Sequence, residues 1–230
     1  MPNRVTVLGN GESRKGIDLE SLRKEGPIYG CNALHRDFSP DVLCATDWDM
    51  IFEIMTSGYT NQHQCFLNYG DTFPIDITQG MDFDGYEIRE GDTGHRDRCA
   101  VFGREIPEKV LFKIWMGNDD MSLPYPHSEK STNTGPFAVR LACENELPDE
   151  VHLYGFDIYG IDGKHNNVYK DTECYAKSDQ PATTQHNWIE ELRKVFLDFP
   201  EITFYHINPI NTTEEWNDIP NLRIRSECVL

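Results

Sequence analysis

The 230-residue chain has no apolar run of the length a membrane helix needs, about 18 residues or more. It also lacks a basic segment leading into a short apolar one, so it reads as having neither a membrane span nor a signal peptide. Its seven cysteines (Cys31, Cys44, Cys65, Cys99, Cys143, Cys174 and Cys228) form no CxxC pair and are odd in number. That pattern argues against a disulfide framework or a zinc site and fits reduced thiols in a cytosol. Cations are scarce: 21 Lys and Arg face 39 Asp and Glu, for a net charge of −18. Such a balance disfavours nucleic acid and anionic membranes, which are held by cation-rich surfaces. It still allows an anionic small ligand held by local dipoles. No internal repeat is present.

What is present suits one α/β domain over residues 1–230, with 38% apolar and 11% aromatic residues to build a core. Arg4-Val5-Thr6-Val7-Leu8 reads as a buried strand running into Gly9-Asn10-Gly11-Glu12-Ser13, with a helix-like stretch after it. Strand, Gly-rich turn and helix make an arrangement that cradles phosphate through free backbone N–H groups, although GNG is also an ordinary turn. Further strands are expected at Pro27–Asn32, Asp41–Thr46, Gln64–Asn68, Lys109–Met116, Val151–Tyr154 and Ile202–Ile207, with Leu222–Arg225 as an edge strand. Strands alternating with helical stretches imply a mostly parallel sheet of Rossmann-like type.

The chain is organised around residues 132–160. The turn Thr132-Asn133-Thr134-Gly135 opens an amphipathic helix that ends at Leu147-Pro148, and a short strand then stops at Gly155. Asp157 and Tyr159 stand just beyond it, where ligands of open α/β sheets bind. Residues 70–131 form an irregular insert, in which His95, Arg96 and Arg98 suit either an anion or a solvated loop. The polar, Gly- and Asn-rich stretch at about 160–183, with His165, Tyr169 and Tyr175, suits a lid over a site. A helix beginning near residues 183–186 presents Ile189, Leu192, Val195 and Phe196 on one face. His186 lies in its first turn, where an imidazole could take a proton from an attacking hydroxyl or could simply be exposed. Asp47 and Asp49 have the DxD spacing that holds a divalent metal on a diphosphate, and the same pair also fits a helix N-terminus.

With these pieces in order, the chain resembles the bacterial sialyltransferases of glycosyltransferase family 42. Gly9–Ser13 is similar to the family's GNGPS loop, Cys31-Asn32 to its CN, Thr134-Gly135 to its SG turn, and Gly155–Tyr159 to its GIDFY. His186 matches the catalytic histidine upstream of a strand-ending proline, here Pro209. The chain departs from the pattern at Ser131, where the family has arginine, and at Asp47, where it has asparagine. The resemblance implies inverting transfer of a sugar from a CMP-sugar to a glycan hydroxyl by a single Rossmann-like domain with a lid. It implies nucleotide contacts from Asn10, Asn32, Thr134, Gly155 and Asp157, leaving-phosphate stabilisation by Tyr159 and Tyr169, and His186 as general base. No cofactor is required on this basis, although Mg²⁺ is compatible with Asp47.

Two other expectations stay open. One is a metal-dependent nucleotide enzyme of pyrophosphokinase type using Asp47 and Asp49. The other is a non-catalytic structural component of a virion or other assembly, with homo-oligomers or a larger complex as its setting.

Overall fold

The computed structural model describes residues 2–59, 62–69, 86–90, 99–103, 112–116, 133–182 and 186–226. His95, Arg96, Arg98, Ser131 and most of the expected insert lie outside them.

The strands are β1 (Arg4–Leu8), β2 (Ile28–Cys31), β3 (Val42–Ala45), β4 (Gln64–Tyr69), β5 (Tyr86–Glu90), β6 (Cys99–Gly103), β7 (Phe112–Met116), β8 (Glu150–Tyr154), β9 (Thr203–Ile207) and β10 (Leu222–Arg225). The helices are α1 (Leu19–Leu22), α2 (Trp48–Thr56), α3 (Thr134–Glu146) and α4 (His186–Asp198). All strands join one sheet in the order β10-β9-β8-β1-β2-β3-β4-β7-β6-β5. Pairing is parallel from β10 across to β7, and antiparallel for β7 with β6 and β6 with β5. This is the Rossmann-like α/β fold expected from the alternating elements. No helix among the described residues is long and apolar enough to cross a membrane.

The central parallel strands β1, β2, β3 and β8 are buried on both faces because both faces are covered. Val5, Val7, Tyr29, Cys31, Val42 and Cys44 point into a core shared with α3 and α4. Leu8, Ile28, Leu43, Ala45, Cys65 and Leu67 point the other way, against α2 and Tyr169. The period-2 alternation therefore sorts each strand between two cores. The expected face of α4 is the buried one: Ile189, Leu192, Val195 and Phe196 all lie within the core.

Two details differ from the expected layout, and a third, the irregular stretch before α4, agrees with it. The stretch after the Gly-rich turn is not one helix. It is a 3-10 turn at Glu12–Arg14 followed by the four residues of α1, capped by the Asp18 carboxylate on the Ser21 N–H. The insert carries two strands, β5 and β6, whose Gly- and charge-rich surroundings conceal them in the sequence. Residues 160–182 hold few regular elements but many turns, tied by bonds such as Ala182 N–H to Gly163 O at 2.9 Å.

The neighbours of β1 fix the geometry of everything downstream. β1 pairs with β2 on one side and β8 on the other, so the chain order reverses between β1 and β8. Beyond the strand ends the ladder continues, with Gly9 N–H donating to Tyr154 O and Gly11 N–H to Gly155 O, both at 2.8 Å. Gly155 takes φ +70°, and a Cβ there would lie 2.6 Å from Gly9 O. A Cβ on Gly9 would in turn overlap Gly155 O. Each glycine is required by the backbone of the other. Gly155→Ala is expected to lower the unfolding free energy by about 2 kcal/mol or more, combining backbone strain with steric overlap. Urea denaturation measures this, and an unchanged midpoint would contradict the close-approach account.

Candidate functional site

The chain order reverses beside β1, and it is at such a point that open α/β sheets hold ligands, in the crevice outside the carboxyl ends of their strands. The sequence-expected residues that gather there fall into two groups.

The first group surrounds the Gly-rich turn. Asn10 is buried; its Nδ2 donates to Cys31 O at 3.0 Å and to the Tyr175 hydroxyl at 3.2 Å, and its carbonyl accepts from Val168 N–H at 2.8 Å. The Glu12 N–H donates to Asn166 Oδ1 at 2.9 Å, and the Ser13 N–H to Asp157 Oδ2 at 2.8 Å. The other oxygen of Asp157 accepts from Ile210 N–H at 2.9 Å. The amides of Gly9, Gly11, Glu12 and Ser13 are thus satisfied from within the chain, and Asp157 and Asn166 occupy positions that a bound anion's oxygens would take. A side chain at Gly11 would stand 2.5 Å from Asp157 Oδ2 and 2.8 Å from Gly155 O. The glycine is therefore required by the protein's own packing. Ser13 Oγ is buried without a partner among the described residues.

Arg14 lies beneath this turn, only 6% exposed. Its Nη2 donates to the Tyr169 hydroxyl at 2.9 Å, and that hydroxyl donates to Asp37. The phenol thus relays a buried cation to a surface carboxylate. Tyr169, expected at the leaving group, is buried in this relay, and burial pushes its pKa up. Residues 160–182 are held over the turn by Tyr169, Tyr175, Asn166, Val168 and Lys170, the last on Glu12 at 3.1 Å.

The second group is more open. It centres on the buried Thr134 at the start of α3. Thr134 Oγ donates to Asn32 Oδ1 at 3.0 Å, accepts from Thr46 N–H at 3.1 Å and shares a 2.7 Å contact with Thr46 Oγ. Asn32 adopts φ +53°, a left-handed conformation that asparagine tolerates better than most residues. Its Nδ2 reaches Asp47 Oδ2 at 3.5 Å. Asp47 is exposed as a residue, but neighbouring atoms crowd its carboxyl. That crowding, together with nearby Asp49, raises its pKa against the opposing bond from Asn32. Among the described residues no group of three His, Cys, Asp or Glu side chains forms a metal-binding cluster. Asn133 caps α3 without a side-chain bond to the helix, and its Nδ2 donates to Glu191 Oε1 at 3.1 Å. Among the described residues, nothing accepts the N–H groups of Thr134 and Gly135. Trp188 lies against this turn: a Cβ on Gly135 would be 2.7 Å from its Nε1.

The two remaining candidates have exposed side chains. Tyr159 is 44% exposed; its hydroxyl donates to Thr213 Oγ at 3.1 Å, and its N–H donates to Asn211 Oδ1 at 2.8 Å. The side chain of His186 is 68% exposed, with Nε2 3.5 Å from Glu190 Oε1. It stands at the first position of α4, two residues before Trp188.

Sequence reasoning missed Arg14, Thr46, Asn166 and Trp188. Thr46 had a usable signal, since it directly follows a strand end. The other three are brought in by tertiary packing and carry no local pattern. Comparison with protein families, curated proteins and solved structures finds no match to this chain.

The crevice floor depends on one further buried group. His206, on β9, has Nε2 2.9 Å from Phe156 O. A carbonyl only accepts, so Nε2 carries a proton, and burial disfavours a second proton on Nδ1. Burial lowers its pKa to about 4, against the helping bond from Phe156. The unfolded chain therefore takes up a proton that the folded chain refuses between about pH 6.5 and 4. Stability is full above this window and is lost as pH falls through it, by about 2 kcal/mol at pH 5 for this residue. His206→Gln keeps a donor for Phe156 without the titration. Urea midpoints at pH 7.5 and 5 should differ less in that variant than in the wild type, and an equal difference would contradict the assignment.

Proposed function

We propose that this chain binds a nucleotide in the crevice and transfers a sugar from a CMP-sugar donor to a glycan hydroxyl, as its resemblance to family 42 sialyltransferases implies. The observation that carries this reading is the open turn at the start of α3. There two N–H groups without a partner among the described residues, at the positive end of a 13-residue helix, stand beside the Asn32–Thr134–Asp47 cluster. In this account the donor phosphate sits on Thr134 and Gly135. It does not sit on the Gly9–Ser13 turn, whose amides at Glu12 and Ser13 already have Asn166 and Asp157.

Crowding of the Asp47 carboxyl, with Asp49 nearby, raises its pKa, and this direction eases uptake of a proton when an anion arrives beside it. Tyr159 steadies the departing phosphate by turning its one hydroxyl proton to it from Thr213 Oγ, which accepts that proton in the ligand-free chain. His186 takes the acceptor's proton, with Glu190 beside it to orient the ring and stabilise the imidazolium that forms. Asn10, Gly155 and Tyr169 act as support: they hold the Gly-rich turn, the strand end and Arg14. Residues 160–182 serve as the lid.

A non-catalytic scaffold in a virion or other assembly is the second reading. The observation that favours it is the internal satisfaction of the Gly-rich turn by Asp157 and Asn166, which is what an inherited but unused site would show.

Calorimetry with CMP, CDP, UDP and ATP, with and without Mg²⁺, separates the readings. The transferase account expects CMP binding without metal, and wild-type turnover of a CMP-sugar. His186→Ala is expected to lower that turnover by roughly 10²-fold or more while leaving CMP affinity nearly unchanged. Metal-dependent ATP binding would favour the pyrophosphokinase reading. A chain that binds none of these nucleotides and neither transfers nor hydrolyses a CMP-sugar would overturn enzymatic function in favour of the scaffold.

A further inference from the structure

The sheet ends on β10, which pairs only with β9 among the described residues. Phe204 N–H donates to Asn221 O and Asn208 N–H to Arg225 O, both at 2.9 Å. Successive residues of a strand turn their backbone groups to alternate sides, so Arg223 and Arg225 turn theirs to β9 while Leu222 and Ile224 turn theirs outward. The outward groups of Leu222 are taken, its N–H by Ile219 O at 3.4 Å and its O by Arg223 Nη1 at 2.8 Å. Those of Ile224 meet no partner among the described residues. A bare edge of this kind is a template for an added strand.

The two faces of the edge differ in chemistry. On one face, Leu222 and the 61%-exposed Ile224 border an open cavity of about 230 Å³, whose walls also include Thr212, Trp216, Asn217 and Ile219. An apolar side chain set beside Ile224 would cover apolar surface there. On the other face, Arg223 is in register with Tyr205, and the Arg225 guanidinium lies 3.9 Å over the Tyr205 ring. Arg223 curls over the edge onto Pro220 O at 2.7 Å and Leu222 O, and no carboxylate pairs with it among the described residues. In a chain with 39 Asp and Glu against 21 Lys and Arg, an arginine left without an acid points to an acid brought by a partner. Its bond to Leu222 O also guards the edge: an incoming acid would draw Arg223 away and open that carbonyl to an incoming N–H.

We propose that β10 is a docking edge for an extended segment of a partner protein in which acidic residues, on the Arg223 face, alternate with apolar residues, on the Ile224 face. Main-chain bonds to Ile224 supply affinity and the two faces supply selectivity. A second β10 does not fit, because its arginines would meet those already there. This surface lies outside the nucleotide crevice and does not rest on the transferase reading.

The test uses a fluorescein-labelled peptide of alternating glutamate and valine and its lysine–valine counterpart, titrated with the full chain by anisotropy. At 0.15 M salt charges are screened over about 8 Å, so the local arginines outweigh the distant acids of the chain. The glutamate peptide is expected to bind with a Kd of about 100 µM or tighter, and the lysine peptide at least about tenfold more weakly. N-methylation of alternate amides should abolish binding for one set and spare it for the other, because only one set faces β10. Arg223→Glu should weaken the glutamate peptide by about tenfold or more. Ile224→Pro removes the outward N–H while leaving the β9 ladder intact, and should abolish binding. Equal affinity for the two peptides would overturn the proposal, as would no binding at millimolar peptide, indifference to both methylation patterns, or undiminished binding in a folded Ile224→Pro chain. A wild-type dimer on ultracentrifugation that Ile224→Pro dissolves would assign the edge to a second copy and also overturn it. If Ile224→Pro fails to fold, the methylated peptides and Arg223→Glu still decide the question.

Discussion

The backbone-to-backbone approach of Gly9 and Gly155 is the constraint on which the rest of this structure depends. β1 and β8 are adjacent and parallel, and their hydrogen-bond ladder continues past the strand ends into the two turns. Neither turn leaves room for a side chain. This forces the Gly-rich turn and the Gly155–Tyr159 stretch into direct contact, where Asp157 can reach the Ser13 amide. It also fixes the orientation of the strand that His206 supports from behind. The crevice at the chain-order reversal is a consequence of that contact.

The same contact divides the crevice by electrostatics. On the β1–β8 side, carboxylate and amide side chains have already taken up the amides that a phosphate would seek, and the buried Arg14 is neutralised through a phenol to Asp37. On the β2–β3 side, a threonine hub holds Asn32 and Thr46 in place while the first amides of α3 remain open among the described residues. For a chain with a net charge of −18, a local patch of this kind is the natural place for an anion, because a helix terminus supplies positive potential without a side-chain cation.

Much of the fold was legible in the sequence for a physical reason. Parallel strands buried on both faces must be nearly continuous in apolar residues, so Val5–Leu8, Val42–Ala45 and Val151–Tyr154 stand out from polar flanks. α4 announces itself through Ile189, Leu192, Val195 and Phe196. β5 and β6 did not stand out, because charges and glycines surround them and antiparallel pairing at the sheet edge does not demand continuous apolarity. The strand-end rule located Asn32, Asp47, Thr134 and Asp157. It could not tell which backbone amides would remain open. That depends on Asn166, which is more than a hundred residues from Glu12, and on Asp157 turning back onto Ser13. Tyr169 illustrates the same limit: its place in a polar stretch suggests a ligand contact, while its partners are Arg14 and Asp37.

The central claim is that an anionic ligand docks on the start of α3 and leaves the Gly-rich turn undisturbed. Amide chemical shifts during a CMP titration test it most directly. The account predicts that the Thr134 and Gly135 amide resonances move with saturable dependence on CMP, while those of Glu12 and Ser13 stay with their internal partners. Movement of Glu12 and Ser13 with Thr134 and Gly135 unchanged would contradict it.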